Sequence, residues 1–122
     1  MKILIVDDSR LVRIKLKAEL FDRGHTVIEA RDGEEALARI QKQSPDAVFL
    51  DIILPKLDGC EVLRRLRETH PNLPVVMLST AASDENIAFA NANGALMFIQ
   101  KPYADQEISA ALAKMQQQVE RQ

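Results

Sequence analysis

The first ten residues, Met1-Lys2-Ile3-Leu4-Ile5-Val6-Asp7-Asp8-Ser9-Arg10, decide the fold. Ile3 to Val6 is apolar at every position. A strand with one wet face would carry a polar residue at every second position, so this run predicts a strand covered on both faces. Asp7-Asp8 stops it. Behind the acids the period becomes helical: Val12, Leu16 and Leu20 stand four apart, and Leu11, Ile14 and Phe21 widen the stripe into a broad inner face. Ser9 supplies a hydroxyl for the helix N-cap, and Gly24 can take the C′ position that ends the helix. A doubly buried strand followed at once by an amphipathic helix is half of a β-α-β unit.

That unit repeats to the end of the chain. Thr26–Ala30 reads as a second strand. Asp32-Gly33-Glu34-Glu35 opens a second helix, with its acids where the macrodipole favours them and Ala36, Leu37 and Ile40 inward. Ala47–Leu50 is a third strand ending at Asp51, and the loop Ile52–Gly59 leads into a third helix with Val62, Leu63 and Leu66 inward. Pro71 and Pro74 bracket its exit. Val75–Leu78 is a fourth strand, followed by Ser79-Thr80, a helix capped by Ser83-Asp84-Glu85, and its end at Asn93-Gly94. Leu96–Ile99 is a fifth strand, and Lys101-Pro102-Tyr103 makes the last turn. Ile108, Leu112, Met115 and Val119 then repeat at helical spacing in a C-terminal helix over about 104–122, whose tail, Gln116-Gln117-Gln118, is polar. Five strands alternating with five helices predict one α/β domain over residues 1–122, a parallel sheet with helices on both faces.

Composition agrees. The chain has 122 residues, 47% apolar and 28% charged, with a net charge of −2. That is globular rather than disordered, and it offers no basic field for holding nucleic acid. A single cysteine, Cys60, excludes an internal disulfide and a Cys-based zinc site and fits a reducing cytoplasm. No apolar run approaches the ~18 residues of a membrane helix, and the N-terminal run is too short for a signal peptide. The expectation is a soluble cytoplasmic domain without direct membrane or nucleic-acid contact.

In an open α/β sheet, ligands bind beyond the carboxyl ends of the strands. Strand one ends in Asp7 and Asp8, strand three in Asp51, strand four in Ser79 and Thr80, and strand five in Lys101. If strands one and three are neighbours, three carboxylates share one crevice and repel one another unless a cation joins them. A hard divalent ion such as Mg²⁺ suits a few carboxylates, retained waters and a phosphate. Lys101 brings a movable positive charge and Ser79 a hydroxyl donor, both suited to a phosphoryl group. Asp51 is then the natural nucleophile, since carboxylates form acyl phosphates.

Taken in order, Asp7-Asp8, Asp51, Leu54-Pro55-Lys56-Leu57-Asp58-Gly59, Ser79 and Lys101-Pro102-Tyr103 make the chain resemble, over essentially its whole length, a receiver domain of two-component response regulators. The resemblance implies a flavodoxin-like strand order 2-1-3-4-5 and a phosphorylation-controlled switch rather than an enzyme. It implies that Asp51 accepts the phosphoryl group, and that Asp8, Asp51 and the main-chain carbonyl of Ile53 ligate Mg²⁺ directly, with Asp7 acting through water. Ser79 stands at the switch hydroxyl, with Thr80 beside it where Ala or Gly is usual. Lys101 stands at the phosphate-binding lysine, joined to Pro102 by a cis bond, and Phe98 at the aromatic switch position. It also implies a histidine kinase or histidine phosphotransfer protein as donor and an unknown downstream protein partner. The output surface, on helix four, strand five and helix five, would include Ile87, Asn91, Phe98 and Lys114. A monomer and a phosphorylation-dependent dimer both fit.

Plainer readings stand beside these. Asp7-Asp8 alone would be an acidic turn, but Asp51 and Lys101 at other strand ends weigh against that. Asp58-Gly59 reads as a tight turn before a helix, and Cys60 as an inert small residue. Phe98 could equally be core, and His25 and His70 read as surface residues. A Mg²⁺-dependent phosphatase with an aspartyl-phosphate intermediate would place a second acid two residues after its nucleophile, where this chain has Ile53.

Overall fold

The computed structural model describes residues 1–122. Its elements are β1 (Lys2–Val6), α1 (Arg10–Asp22), β2 (Thr26–Ala30), α2 (Gly33–Gln43), β3 (Ala47–Leu50), α3 (Gly59–Thr69), β4 (Val75–Ser79), α4 (Asp84–Ala92), β5 (Met97–Gln100) and α5 (Asp105–Glu120). All neighbouring strands run parallel, in the flavodoxin-like order β2-β1-β3-β4-β5. The order reverses between β1 and β3, so the loops leaving these two strands diverge and open a crevice at their carboxyl ends. Asp7-Asp8 and Asp51 stand at that point.

The continuous apolar runs are buried on both sides. Every residue from Ile3 to Val6 and from Ala47 to Leu50 is buried. On one face Leu4, Val6, Val48, Leu50, Val75 and Met77 pack against α2, α3 and α4 through Ala36, Ile40, Val62, Leu63, Leu66 and Ala90. On the other, Ile3, Ile5, Phe49, Val76, Leu78 and Ile99 pack against α1 and α5 through Leu16, Leu20, Ile108, Ala111, Leu112 and Met115. Each fully buried aliphatic side chain contributes about 1.5–3 kcal/mol, which is why the sheet holds without cross-links.

Helix starts follow the sequence signals. The side chains of Ser9, Asp32, Asp58 and Ser83 each accept a hydrogen bond from a backbone N–H three residues on. Gly24 takes φ +88° just past α1, and Gly94 φ +72° past α4, conformations that cost a glycine little.

Three expectations need correction. The inner face of α1 is narrower than the apolar spacing suggests: Leu11 is 79%, Ile14 52% and Phe21 72% exposed, leaving Leu16 and Leu20 as the buried ridge and Val12 half-buried. Only two helices cover this face, and α1 lies over β1 and the edge strand β2, so one flank of the helix has no neighbour. The fifth strand is shifted by one residue, because Leu96 N–H bonds to Val75 O before the strand begins and pairing continues through Ser79↔Gln100. His25 and His70 are half-buried rather than on the open surface: His25 Nδ1 lies 3.0 Å from the Met1 amine, and His70 Nδ1 lies 2.8 Å from Thr69 Oγ1.

Candidate functional site

Asp7 and Asp8 leave β1, and Asp51 leaves the neighbouring β3. Their carboxylate oxygens come within 4.8 Å of one another, with Asp7 and Asp51 buried and Asp8 exposed at the mouth. Backbone donors fix the two inner carboxylates. Ser9 N–H donates to Asp7 Oδ1 at 2.9 Å, where the chain turns into α1. Ile52 and Ile53 N–H donate to Asp51 Oδ1 at 2.7 and 3.3 Å, which leaves Oδ2 facing the crevice.

Lys101 crosses from β5 to meet them. Its ammonium donates to Asp7 Oδ2 and, at 3.0 Å, to Asp51 Oδ2. Burial works against the charge on Lys101, but its bonds to Asp7 and Asp51 outweigh burial and raise its pKa above the usual lysine value. Asp7 is also raised, mainly by burial, with Asp51's negative charge adding to it and the bonds from Lys101 and Ser9 opposing it. The peptide bond from Lys101 to Pro102 is cis, and Lys101 N–H closes the ladder onto Ser79 O at 3.0 Å.

Ser79 is fully buried as the last residue of β4, and its Oγ accepts from Ala81 N–H at 3.1 Å. Thr80 is exposed. Phe98 is half-buried, pairs in register with Met77 and packs on the α2–α4 side of the sheet. Ile53 holds its side chain 58% exposed beside the crevice. Ile87 is half-buried on α4, while Asn91 on α4 and Lys114 on α5 are exposed.

The structure brings in residues whose part the sequence reading passed over. Gly59, read only as part of a turn, presses against the backbone at the end of β3: a Cβ there would lie 1.9 Å from Asp51 O. Its N–H donates to Ile52 O at 2.8 Å. Gly33, at the start of α2, meets Leu57 O as closely, where a Cβ would lie 2.0 Å away. Lys56 between them takes φ +69° and is bridged by Leu57 N–H to Pro55 O at 2.7 Å, a γ-turn that is strained for a residue with a side chain. Lys56 Nζ lies 3.7 Å from Asp32 Oδ2. The glycines at positions 33 and 59 were the only sequence trace of this support.

Three hard oxygen donors around a partly open mouth fit Mg²⁺, which keeps several waters and takes few protein ligands. The same crevice holds one carboxylate by backbone bonds and faces it with an ammonium, the arrangement needed for a nucleophile meeting a phosphoryl anion.

Known proteins share this fold. The family model described as Response regulator receiver domain matches residues 3–113. The response regulator MprA of Mycolicibacterium vanbaalenii is 44% identical over 112 residues, covering 91% of this chain and 48% of that protein. The chain thus spans about half the length of the curated relatives it matches. A CheY-like response regulator receiver domain protein from Methanospirillum hungatei superposes with a TM-score of 0.93 at 30% identity, covering 99% of this chain and 98% of that one. NtrX from Brucella abortus superposes at 0.86 with 39% identity, covering 96% of this chain and 27% of that one. Chemotaxis protein CheY4 of Vibrio cholerae superposes at 0.86 with 33% identity, covering 93% and 97%.

Proposed function

We infer the function from one premise: this chain belongs to the response regulator receiver domains of two-component systems, which are signalling switches. We propose that Asp51 accepts a phosphoryl group from a phosphohistidine presented by a histidine kinase or phosphotransfer protein. The observation that carries this reading is the convergence of Asp7, Asp8 and Asp51 with Lys101 at one strand-order reversal.

An Asp51 carboxylate oxygen forms a bond to phosphorus as the P–N bond breaks, and the electron pair leaves with the donor imidazole. The backbone N–H groups of Ile52 and Ile53 hold Asp51 so that this oxygen needs no reorganisation. Asp8, Asp51 and the Ile53 carbonyl would hold Mg²⁺, with Asp7 acting through water. Mg²⁺ bound there would neutralise charge developing on the phosphoryl oxygens. Lys101, already charged and aimed at Asp51, pairs with the new anion and gives up part of its hold on the carboxylates. Ser79 turns its hydroxyl from Ala81 N–H toward a phosphoryl oxygen. Phe98, half-buried beside α4, follows, and the face bearing Ile87, Asn91 and Lys114 changes its partner preference.

The donor protein must cover the mouth of the crevice. Exposed apolar side chains stand on both flanking segments, Leu11 and Ile14 on α1 and Ile53 after β3, and they give it a surface to bury.

The test is intact-mass measurement after treatment with acetyl phosphate. The expected gain is one phosphoryl group in the wild type with Mg²⁺, none with EDTA and none in Asp51→Asn. Equal modification of wild type and Asp51→Asn refutes the assignment.

A further inference from the structure

Lys101 is the only cation paired with the carboxylates of Asp7 and Asp51, so the position of its ammonium is set by whatever holds the loop that carries it. On the N-terminal side that is the ladder bond from Lys101 N–H to Ser79 O. On the C-terminal side Pro102 and Ala104 are exposed. The α5 cap at Ala104 is made by Glu107, whose carboxylate accepts Ala104 N–H at 3.0 Å, and this bond ties the loop only to its own helix. Tyr103 is the one residue of the turn that reaches the core, packing on the α1–α5 side of the sheet. Its ring meets α1, where the Lys15 ammonium sits 5.2 Å from the ring centroid. The charge of Glu19, one turn further along α1, also reaches the phenol. The chain segment that enters α1 carries Asp7, whose carboxylate is locked by Ser9 N–H and whose carbonyl accepts from Arg13 Nη1 at 2.7 Å. Both ends of the Lys101–Asp7 contact are therefore referred to one rigid element, α1.

We propose that Tyr103, seated against Lys15 on α1, is a positioning residue for phosphoryl transfer, acting through Lys101. The ring carries this role, because the hydroxyl is buried without a hydrogen-bond partner. Burial and the negative charges of Glu19 and Asp105 push the phenol up to about 12, so it stays neutral at physiological pH. The inference rests on Asp51 being the acceptor.

The test uses the full chain with acetyl phosphate at saturating Mg²⁺ and follows the rate constant of phosphoryl gain by intact mass. Mg²⁺ affinity and melting temperature are measured alongside. Tyr103→Leu is expected to slow phosphorylation about tenfold, as a displaced catalytic group does, with Mg²⁺ affinity unchanged. Tyr103→Phe is expected to restore the wild-type rate. Lys15→Met, which leaves the core intact, is expected to slow it about twofold. In a Lys101→Met background none of the three changes should have a further effect. If Tyr103→Leu does not fold, Lys15→Met and its Lys101→Met double variant decide the matter. An unchanged rate in Tyr103→Leu or Lys15→Met, a full loss in Tyr103→Phe, or effects that add to Lys101→Met would each overturn the proposal. A wild type that takes no phosphoryl group would instead refute the assignment of Asp51.

Discussion

Replacing Gly59 by Ala adds one methyl group where the structure has no room. The new Cβ would lie 1.9 Å from Asp51 O and 2.8 Å from both Asp51 C and Ile52 Cα, while real Cβ atoms essentially never approach closer than 3.0 Å. All three neighbours are backbone, so no flexible side chain can give way. Either the start of α3 or the end of β3 must retreat by at least 1.1 Å. Overpacking of this kind costs about 1–3 kcal/mol, which corresponds to a fall of roughly 4–12 °C in melting temperature for a domain of this size. A retreat of β3 moves Asp51 away from Lys101, and a misplacement of about 1 Å costs on the order of a hundredfold in rate. Gly24→Ala is the control: its φ is +88° but nothing lies within 4 Å of the added atom, so it pays only backbone strain, about 1–2 kcal/mol. The assay pairs thermal melts with intact-mass phosphorylation kinetics on both variants. Gly59→Ala should lose stability and rate together, and Gly24→Ala stability alone. A Gly59→Ala protein that melts and reacts like wild type would show that the loop yields freely and that Gly59 does not hold Asp51 in place.

Asp7 has a raised pKa, so the folded state holds its proton more tightly than the unfolded state, and its ionised form weakens folding as pH rises through that pKa. Asp7→Asn is therefore expected to raise the metal-free melting temperature at pH 7, with the gain shrinking as pH falls toward the Asp7 pKa. A gain that grows on acidification would contradict this. We propose that Ile53 and Ala81, each two residues past Asp51 and Ser79, flank the approach to the phosphoryl group; neither side chain can orient a water, so Ile53→Asn/Ala81→Glu is expected to shorten phosphoryl lifetime after donor removal, and unchanged decay would clear these positions of any role. Chemical-shift mapping with a phosphoryl mimic should perturb Ile87, Asn91, Phe98 and Lys114, and shifts confined to the α2 flank of the sheet would exclude this face as the output.

Much of this protein was legible along the chain because its signals are local. Ile3–Val6 and Ala47–Leu50 lack alternation because helices cover both faces, and a strand buried twice has no polar position to show. Ser9, Asp32, Asp58 and Ser83 announce helix starts because a cap is satisfied within three residues. Asp7, Asp8, Asp51 and Lys101 stood out because each follows a strand. What the chain could not disclose depends on which segments become neighbours. Whether Leu11, Ile14 and Phe21 are core or surface turns on which helices flank α1, and periodicity reports only that a stripe exists. Gly59 looks like any glycine before a helix, and its close approach to Asp51 exists only once the loop folds back over β3. The same holds for Tyr103, whose seat against Lys15 joins residues 88 positions apart. Short-range chemistry specified the elements and their ends; packing between distant segments decided which side chains the site can use.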